Sequence, residues 1–311
     1  MMKFSPTRRA ARRLAAALAV GLAFGLVSAC QAGEPAAAPS AEVTASAGPP
    51  TAAAAEFIRL ERQFGARLGI YVIDTGTGRS IEHRADERFA YASTFKALAA
   101  GALLARTTPE QLDRRISYTR SNLVPYSPIT EKHVQNGMTL RDLLDAIVRY
   151  GDNTAANLIF DALGGPQQLE QDLRAIGDQV TEVEREEPML NEAVPGDIRD
   201  TSTPRAFATD LQKYVLGDAL ADDDQALLTR WLRGNTTGVE LIRAGVPAGW
   251  VVGDKTGAAS YGTRNDIAVI WPTNGAPIVL AIMSSRDEKD AKYDNALIAE
   301  ATKAALAELT R

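Results

Sequence analysis

The chain of 311 residues contains a single cysteine and two histidines. One thiol excludes an internal disulfide and, with so few imidazoles, most zinc frameworks. His83 and His133 stand in neither an HxxxH nor an HExxH setting, so each is read as a surface or hydrogen-bonded structural residue. No long basic stripe follows the first thirteen residues, and 34 basic against 39 acidic residues leave a formal charge of -5. A phosphate backbone would find no electrostatic footprint. No metal, cofactor or nucleic-acid partner is therefore expected. There is no GxSxG elbow, and "GWVVGDKTG" departs from a phosphate-binding loop because Asp254 would set negative charge against the phosphate. With 45% hydrophobic and 23% charged residues, most of the chain is ordinary globular material.

The first 30 residues differ from the rest. Lys3, Arg8, Arg9, Arg12 and Arg13 precede "LAAALAVGLAFGLVSA", which ends in small residues before Cys30. That pattern is an export signal rather than a membrane span. "LVSAC" resembles a bacterial lipobox, in which the cysteine becomes the lipidated first residue of the mature chain; the alternative is a plain cleavage site followed by cysteine. The Arg8-Arg9 pair admits twin-arginine as well as Sec export. Residues 31–55 are Ala, Pro, Gly and Ser with almost no large apolar side chain, and read as a flexible linker. The expected product is secreted, or held at the extracellular face of the membrane through Cys30, with monomer as the default state.

Residues 56–311 are expected to be one catalytic domain. A helix opens near 52–65, and "ARLGIYVIDTGTGRSIEHR" predicts a hairpin turning at Asp74 to Gly78. Three further strand-like runs, "GWVVGDKTG", "TRNDIAVIWP" and "APIVLAIMSS", precede a closing helix. Between these strand groups the pattern is helical. In "TLRDLLDAIVRYG" the residues Leu140, Leu143, Leu144, Ile147 and Val148 recur at the helix period, Thr139 caps the start and Gly151 follows the last turn. Pairing of strands from both chain ends predicts an α/β (α+β) fold with a five-stranded antiparallel sheet flanked by the terminal helices. The α/β lobe would comprise about 56–90 and 231–311, with an all-helical lobe of about 91–230 inserted and the active site in the cleft between them.

Three motifs could carry chemistry there. Ser93 and Lys96 lie three apart at a helix start, on one face, where a lysine kept neutral by its surroundings can take the serine proton. The bland alternative is a serine N-cap with a solvated lysine. Glu187 and Asn191 lie four apart in a segment that Pro188, Pro195 and Gly196 mark as a compact loop, and together could hold and activate one water. Here the alternative is a polar surface loop; Arg185 and Asp200 flank it and could close it as an ion pair. Lys255, Thr256 and Gly257 fall on a strand, with Arg264 across the hairpin, and suit a substrate carboxylate. An edge-strand lysine that discourages aggregation is the competing reading.

Each motif is weak alone, but SxxK at 93, xDN at 151, ExxxN at 187 and KTG at 255, in that order, resemble the class A serine β-lactamases. "YSPITEKH", "MTLRDLLDAIVRYGDNTAANL", "EPMLNEAVPGDIRDTSTP" and "KTGAASYGTRNDIAVIWP" are similar to the same family, over residues 56–311. The resemblance implies that Ser93 opens the lactam ring, Lys96 exchanges its proton, and Glu187 with Asn191 activates the deacylating water. It also implies an oxyanion hole from the N-H groups of Ser93 and Ala258. Lys255, Thr256, Gly257 and Arg264 would receive the substrate carboxylate, Asn153 the substrate side chain, and Tyr126 would wall the cleft. The family has serine at the position of Gly151, where its hydroxyl relays a proton to the lactam nitrogen, and glycine has none. Three activities are compatible with this pattern: a β-lactam hydrolase conferring antibiotic resistance; a penicillin-binding protein acylated at Ser93 that turns over slowly or not at all; and a D-alanyl-D-alanine carboxypeptidase, for which the Glu187 loop has no evident use.

Overall fold

The computed structural model describes residues 51–311. Cys30 and the export signal lie outside them. The first helix, α1 (Ala52–Phe64), begins where the Thr51 hydroxyl accepts a hydrogen bond from the Ala54 N-H, and ends at Gly65 in the left-handed region. Residues 52–55, which composition assigns to the linker, are thus the first turn of a folded helix, and Ala53 is already buried. Alanine carries both signals, so burial and not composition sets this boundary.

Strands β1 (Arg67–Asp74) and β2 (Ser80–His83) form the first hairpin. The helices that follow are α2 (Phe95–Leu104), α3 (Leu140–Asp145), α4 (Asn153–Leu163), α5 (Pro166–Ala175), α6 (Pro204–Val215) and α7 (Asp222–Arg233). The chain closes with β3 (Val251–Ala259), β4 (Thr263–Trp271), β5 (Ile278–Ser285) and α8 (Asn295–Leu309). These five strands form the main sheet, all antiparallel in the order β2-β1-β5-β4-β3, so strands from the two ends of the chain meet at β1 and β5. Their register runs from Arg67 opposite Ser285 to Asp74 opposite Ile278.

The two-residue period of the strands divides the apolar side chains between two cores. Ile70, Val72, Leu280 and Ile282 pack with Phe57 and Leu60 of α1 and with Leu297 and Ile298 of α8. Tyr71, Val279, Ala281 and Met283 face the other way, toward Phe207 and Leu211 of α6 and the remaining helices. With both faces covered, β5 is buried at every position but its last. Helix α2 is buried along its whole length, which is why its sequence is apolar all round. The helical part extends beyond the expected limit of 230, because α7 continues to Arg233.

One helix departs from its expected form. Thr139 caps α3 through a capping box with Asp142, but the regular helix stops at Asp145 and residues 146–150 form a π turn. Gly151, with φ 72°, closes this turn by donating its N-H to the Ala146 carbonyl. The wider turn rotates the Gly151 carbonyl toward Lys96.

Candidate active site

Ser93 sits in a single 3-10 turn, Ala92–Thr94, immediately before α2. It caps nothing; its Oγ instead accepts a hydrogen bond from Lys96 Nζ at 3.0 Å. Lys96 is 0% exposed, which removes the solvated-lysine reading. Its ammonium also donates to Gly151 O at 2.8 Å and Asn153 Oδ1 at 2.5 Å, and lies 2.9 Å from Glu187 Oε1. Ser93 Oγ is 3.3 Å from the same carboxylate oxygen. Lysine and carboxylate therefore converge on one hydroxyl, from α2 and from a loop 94 residues away, and Asn153 of α4 holds the lysine.

That loop is folded rather than solvated. Glu187 is buried, and Asn191 Nδ2 donates to its Oε2 at 2.5 Å. Asn157, one turn along α4 from Asn153, grips the Glu187 backbone from both sides, donating to its carbonyl and accepting from its N-H, each at 2.9 Å. The Arg185–Asp200 pair forms at 2.5 Å with Asp200 fully buried. Asp200 also accepts from the N-H groups of Glu184 and Arg185 and from the Tyr91 hydroxyl, so the loop closes over a hydrogen-bonded carboxylate.

The opposite wall is β3, which is an edge strand as the competing reading required, yet Lys255 is only 1% exposed. Burial first, and then the charge of Lys96, lowers its ammonium to about 7. Glycine at 257 is a spatial necessity: a Cβ there would stand 2.9 Å from the Tyr91 carbonyl and 3.1 Å from the Ser93 nitrogen. Only a bare α-carbon lets this strand run past Ser93 and bring Ala258 to the same rim. Arg264 is paired in register with Ala258, donates to Asn295 Oδ1 at 2.8 Å and lies over the Tyr293 ring. These groups enclose a cleft of about 400 Å³ that also takes in Tyr126, Gly151, Asn153 and Asn191. Tyr126 is 60% exposed at its mouth.

Four residues escaped the sequence reading. Asn157 carries the same side chain as Asn153 and sits four residues on, a repeat visible in "DNTAAN". Thr237 joins its hydroxyl to that of Thr256 at 2.6 Å inside the cleft, and Tyr293 with Asn295 buttresses Arg264; neither has a local pattern to reveal it. Asp254, taken as hostile to phosphate, is a buried group held by Arg243 and Asn235, both at 2.6 Å. Among the described residues no cluster of His, Cys, Asp or Glu is suited to a metal.

The sequence model described as "Beta-lactamase enzyme family" matches residues 52–309. A β-lactamase of Amycolatopsis lactamdurans is 61% identical over 265 residues, covering 85% of this chain and 88% of that protein. One of Bacillus licheniformis is 60% identical over 80% of this chain and 81% of its own length. Among solved structures, a class A β-lactamase from Clostridium kluyveri superposes with a TM-score of 0.82 at 49% identity, covering 83% of this chain and 98% of that one. Similarity of that extent, over the same residues that build the cleft, shows that the chain belongs to the β-lactamase family, in its class A serine branch.

Proposed function

We propose that Ser93 is the nucleophile of this serine β-lactamase and that hydrolysis proceeds in two halves. In the first, Ser93 Oγ attacks the lactam carbonyl while its proton passes to the Lys96–Glu187 pair. The N-H groups of Ser93 and Ala258 receive the oxyanion, next to the positive end of α2. The substrate carboxylate is held by Lys255, Thr256 and Arg264, and Asn153 meets its side chain. In the second half, Glu187 takes a proton from a water that Asn191 helps to orient, and hydroxide opens the Ser93 ester. Asn191 Oδ1 is buried without a donor among the described residues, which suits that part.

The observation that carries this reading is the Glu187–Asn191 pair placed against Ser93 and Lys96: deacylation needs it, and a protein that only binds does not. The step that Gly151 alters is protonation of the leaving nitrogen. With no hydroxyl at 151, water beside Lys255 must supply that proton. Burst and steady-state measurements with a penicillin, followed by lactam absorbance and intact mass, test the assignment. Many turnovers per enzyme are expected. Glu187→Gln should slow deacylation by about 10² to 10⁴ and accumulate a Ser93 adduct. A persistent stoichiometric adduct on the unaltered protein would overturn hydrolysis.

Export, a lipid anchor on Cys30 and a monomeric state belong to the same proposal. The charged, apolar and small-residue regions of residues 1–30 support it, and no helix among the described residues is long and apolar enough to cross a membrane. Cys30→Ser should release the protein from membranes.

A further inference from the structure

Glu187 and Asn191 ride on the segment from Asp178 to Asp200. Arg185 closes the far end of that segment; its near end is closed by two acids that the reaction does not use. Asp178 follows α5, and Asp210 projects from α6. Their carboxyl groups stand within hydrogen-bond reach of one another. The side chain of Asp178 is fully buried and Asp210 is 1% exposed. The two are unequal. Asp178 Oδ1 accepts from the N-H groups of Val180 at 2.6 Å and Thr181 at 3.1 Å, and Arg174 Nη1 lies 3.8 Å away. Asp210 has no N-H or O-H donor, and both its oxygens and Asp178 Oδ2 are buried without a partner.

The other charged or titratable groups near the pair are few. Arg174 of α5 donates to the carbonyls of Asp178 and Thr181 and bridges Glu170 and Glu182. Lys213 of α6 is committed to the Ile176 carbonyl. Tyr214 is buried beside Asp210, and Asp172 acts on Tyr214. None donates to Asp210. Two ionised carboxylates in contact there are strongly disfavoured, since buried charge without compensation is expensive. A single proton on Asp210 removes one charge and supplies the hydrogen bond that Asp178 Oδ2 lacks.

We propose that Asp210 is a positioning residue for deacylation: as a neutral acid donating to Asp178, it latches the start of the 178–200 segment and so holds Glu187 against Ser93. The latch rests on the reading of Glu187 as the deacylating base. Its surroundings agree. Thr181 bonds Ser202 hydroxyl to hydroxyl at 2.7 Å, and Glu182 bridges Thr201, so Asp178 feeds directly into the neck of the loop. Burial, and then the charge of Asp178, raises Asp210 to about 9; burial also opposes ionisation of Asp178, but hydrogen bonds from Asp210, Thr181 and Val180 hold it below the usual range.

The sign of the pH effect follows. Asp210 titrates higher in the folded state than in the unfolded chain, so its contribution is complete below the ordinary aspartate value and is lost as pH rises through about 9. Asp178 has the opposite sign and loses its contribution only as pH falls through its lowered value.

The test uses the folded mature protein, with single-turnover acylation and deacylation by a penicillin from pH 7 to 10 and hydrogen exchange of residues 178–200. Deacylation should fall at least tenfold as pH passes 9, and exchange of the loop should rise with the same midpoint. Asp210→Asn keeps a donor to Asp178 without a titrating proton and should flatten both profiles. Asp210→Ala should slow deacylation at least tenfold at pH 7, with Asp210→Asn restoring it. An alkaline fall retained in Asp210→Asn would overturn the latch. So would loop exchange that ignores both pH and substitution. If Glu187→Gln left deacylation unchanged, the role of Glu187 would fail, whereas the exchange profile would still decide whether Asp210 holds the loop.

Discussion

Adding a hydroxyl at Gly151 tests the protonation step that the proposed mechanism leaves to water. A Cβ built there stands 3.5 Å from Tyr126 Cε1 and 3.8 Å from Lys255 Nζ, ordinary contact distances, so Gly151→Ser fits sterically. Its Oγ, one bond farther out, can reach Lys255. The cost lies in the backbone. Gly151 has φ 72°, and an L-residue in that region is disfavoured by about 1–2 kcal/mol. For a domain of this size that lowers the melting temperature by about 2–8 °C. The gain is in the barrier: a positioned general acid is worth about 10² to 10⁴, or roughly 3–5 kcal/mol. In the proposed mechanism a water would recover part of this. The single-turnover acylation rate is therefore expected to rise at least tenfold in Gly151→Ser while thermal stability falls. Gly151→Ala, with the same backbone strain and no hydroxyl, should lose the stability and gain no rate. Acylation unchanged in a folded serine variant would refute the reasoning, because protonation of the leaving nitrogen would then not limit ring opening.

Lys255, lowered to about 7, is charged below that pH and neutral above it; kcat/KM for a carboxylate-bearing lactam should decline as pH rises through about 7. Lys255→Arg stays charged and should flatten the decline, and an unchanged profile would remove Lys255 as the titrating group. Gly257→Ala drives a Cβ to 2.9 Å from the Tyr91 carbonyl, so acylation should fall about 10²-fold as β3 is pushed from Ser93, with little change in circular dichroism. Arg185→Ala leaves Asp200 buried beside Tyr91 without its cation and should cost about 3–5 kcal/mol in urea unfolding, with faster proteolysis of residues 178–200.

The motifs legible before the fold were those confined to one element. Ser93 and Lys96 lie a turn apart, Glu187 and Asn191 share a short loop, and Lys255 to Gly257 share a strand, so spacing alone placed each on one face. The continuous helix expected through Tyr150 was interrupted by a π turn, because the apolar period is blind to which carbonyl each N-H chooses. Asn157, Thr237, Tyr293 and the Asp178–Asp210 contact stayed hidden for a different reason. Their partners are remote in sequence, and a polar residue of ordinary type shows no pattern until folding buries it.

What the sequence determined by itself is the layout: alternating strands at both ends, amphipathic helices between, a single cysteine after a charged and then apolar run, and chemically apt residues in a fixed order. Local periodicity encodes the strands and the one-sided helices because each turns a repeating face to the core. Tertiary structure alone decided that four weak motifs are one site. Only when β3 passes Ser93 at a bare glycine, and the 178–200 segment folds back over α2, do Lys96, Glu187 and Lys255 lose water around the cleft that Ser93 lines. Desolvation is a property of the whole packed chain, and it is what lowers an ordinary lysine such as Lys255 to about 7.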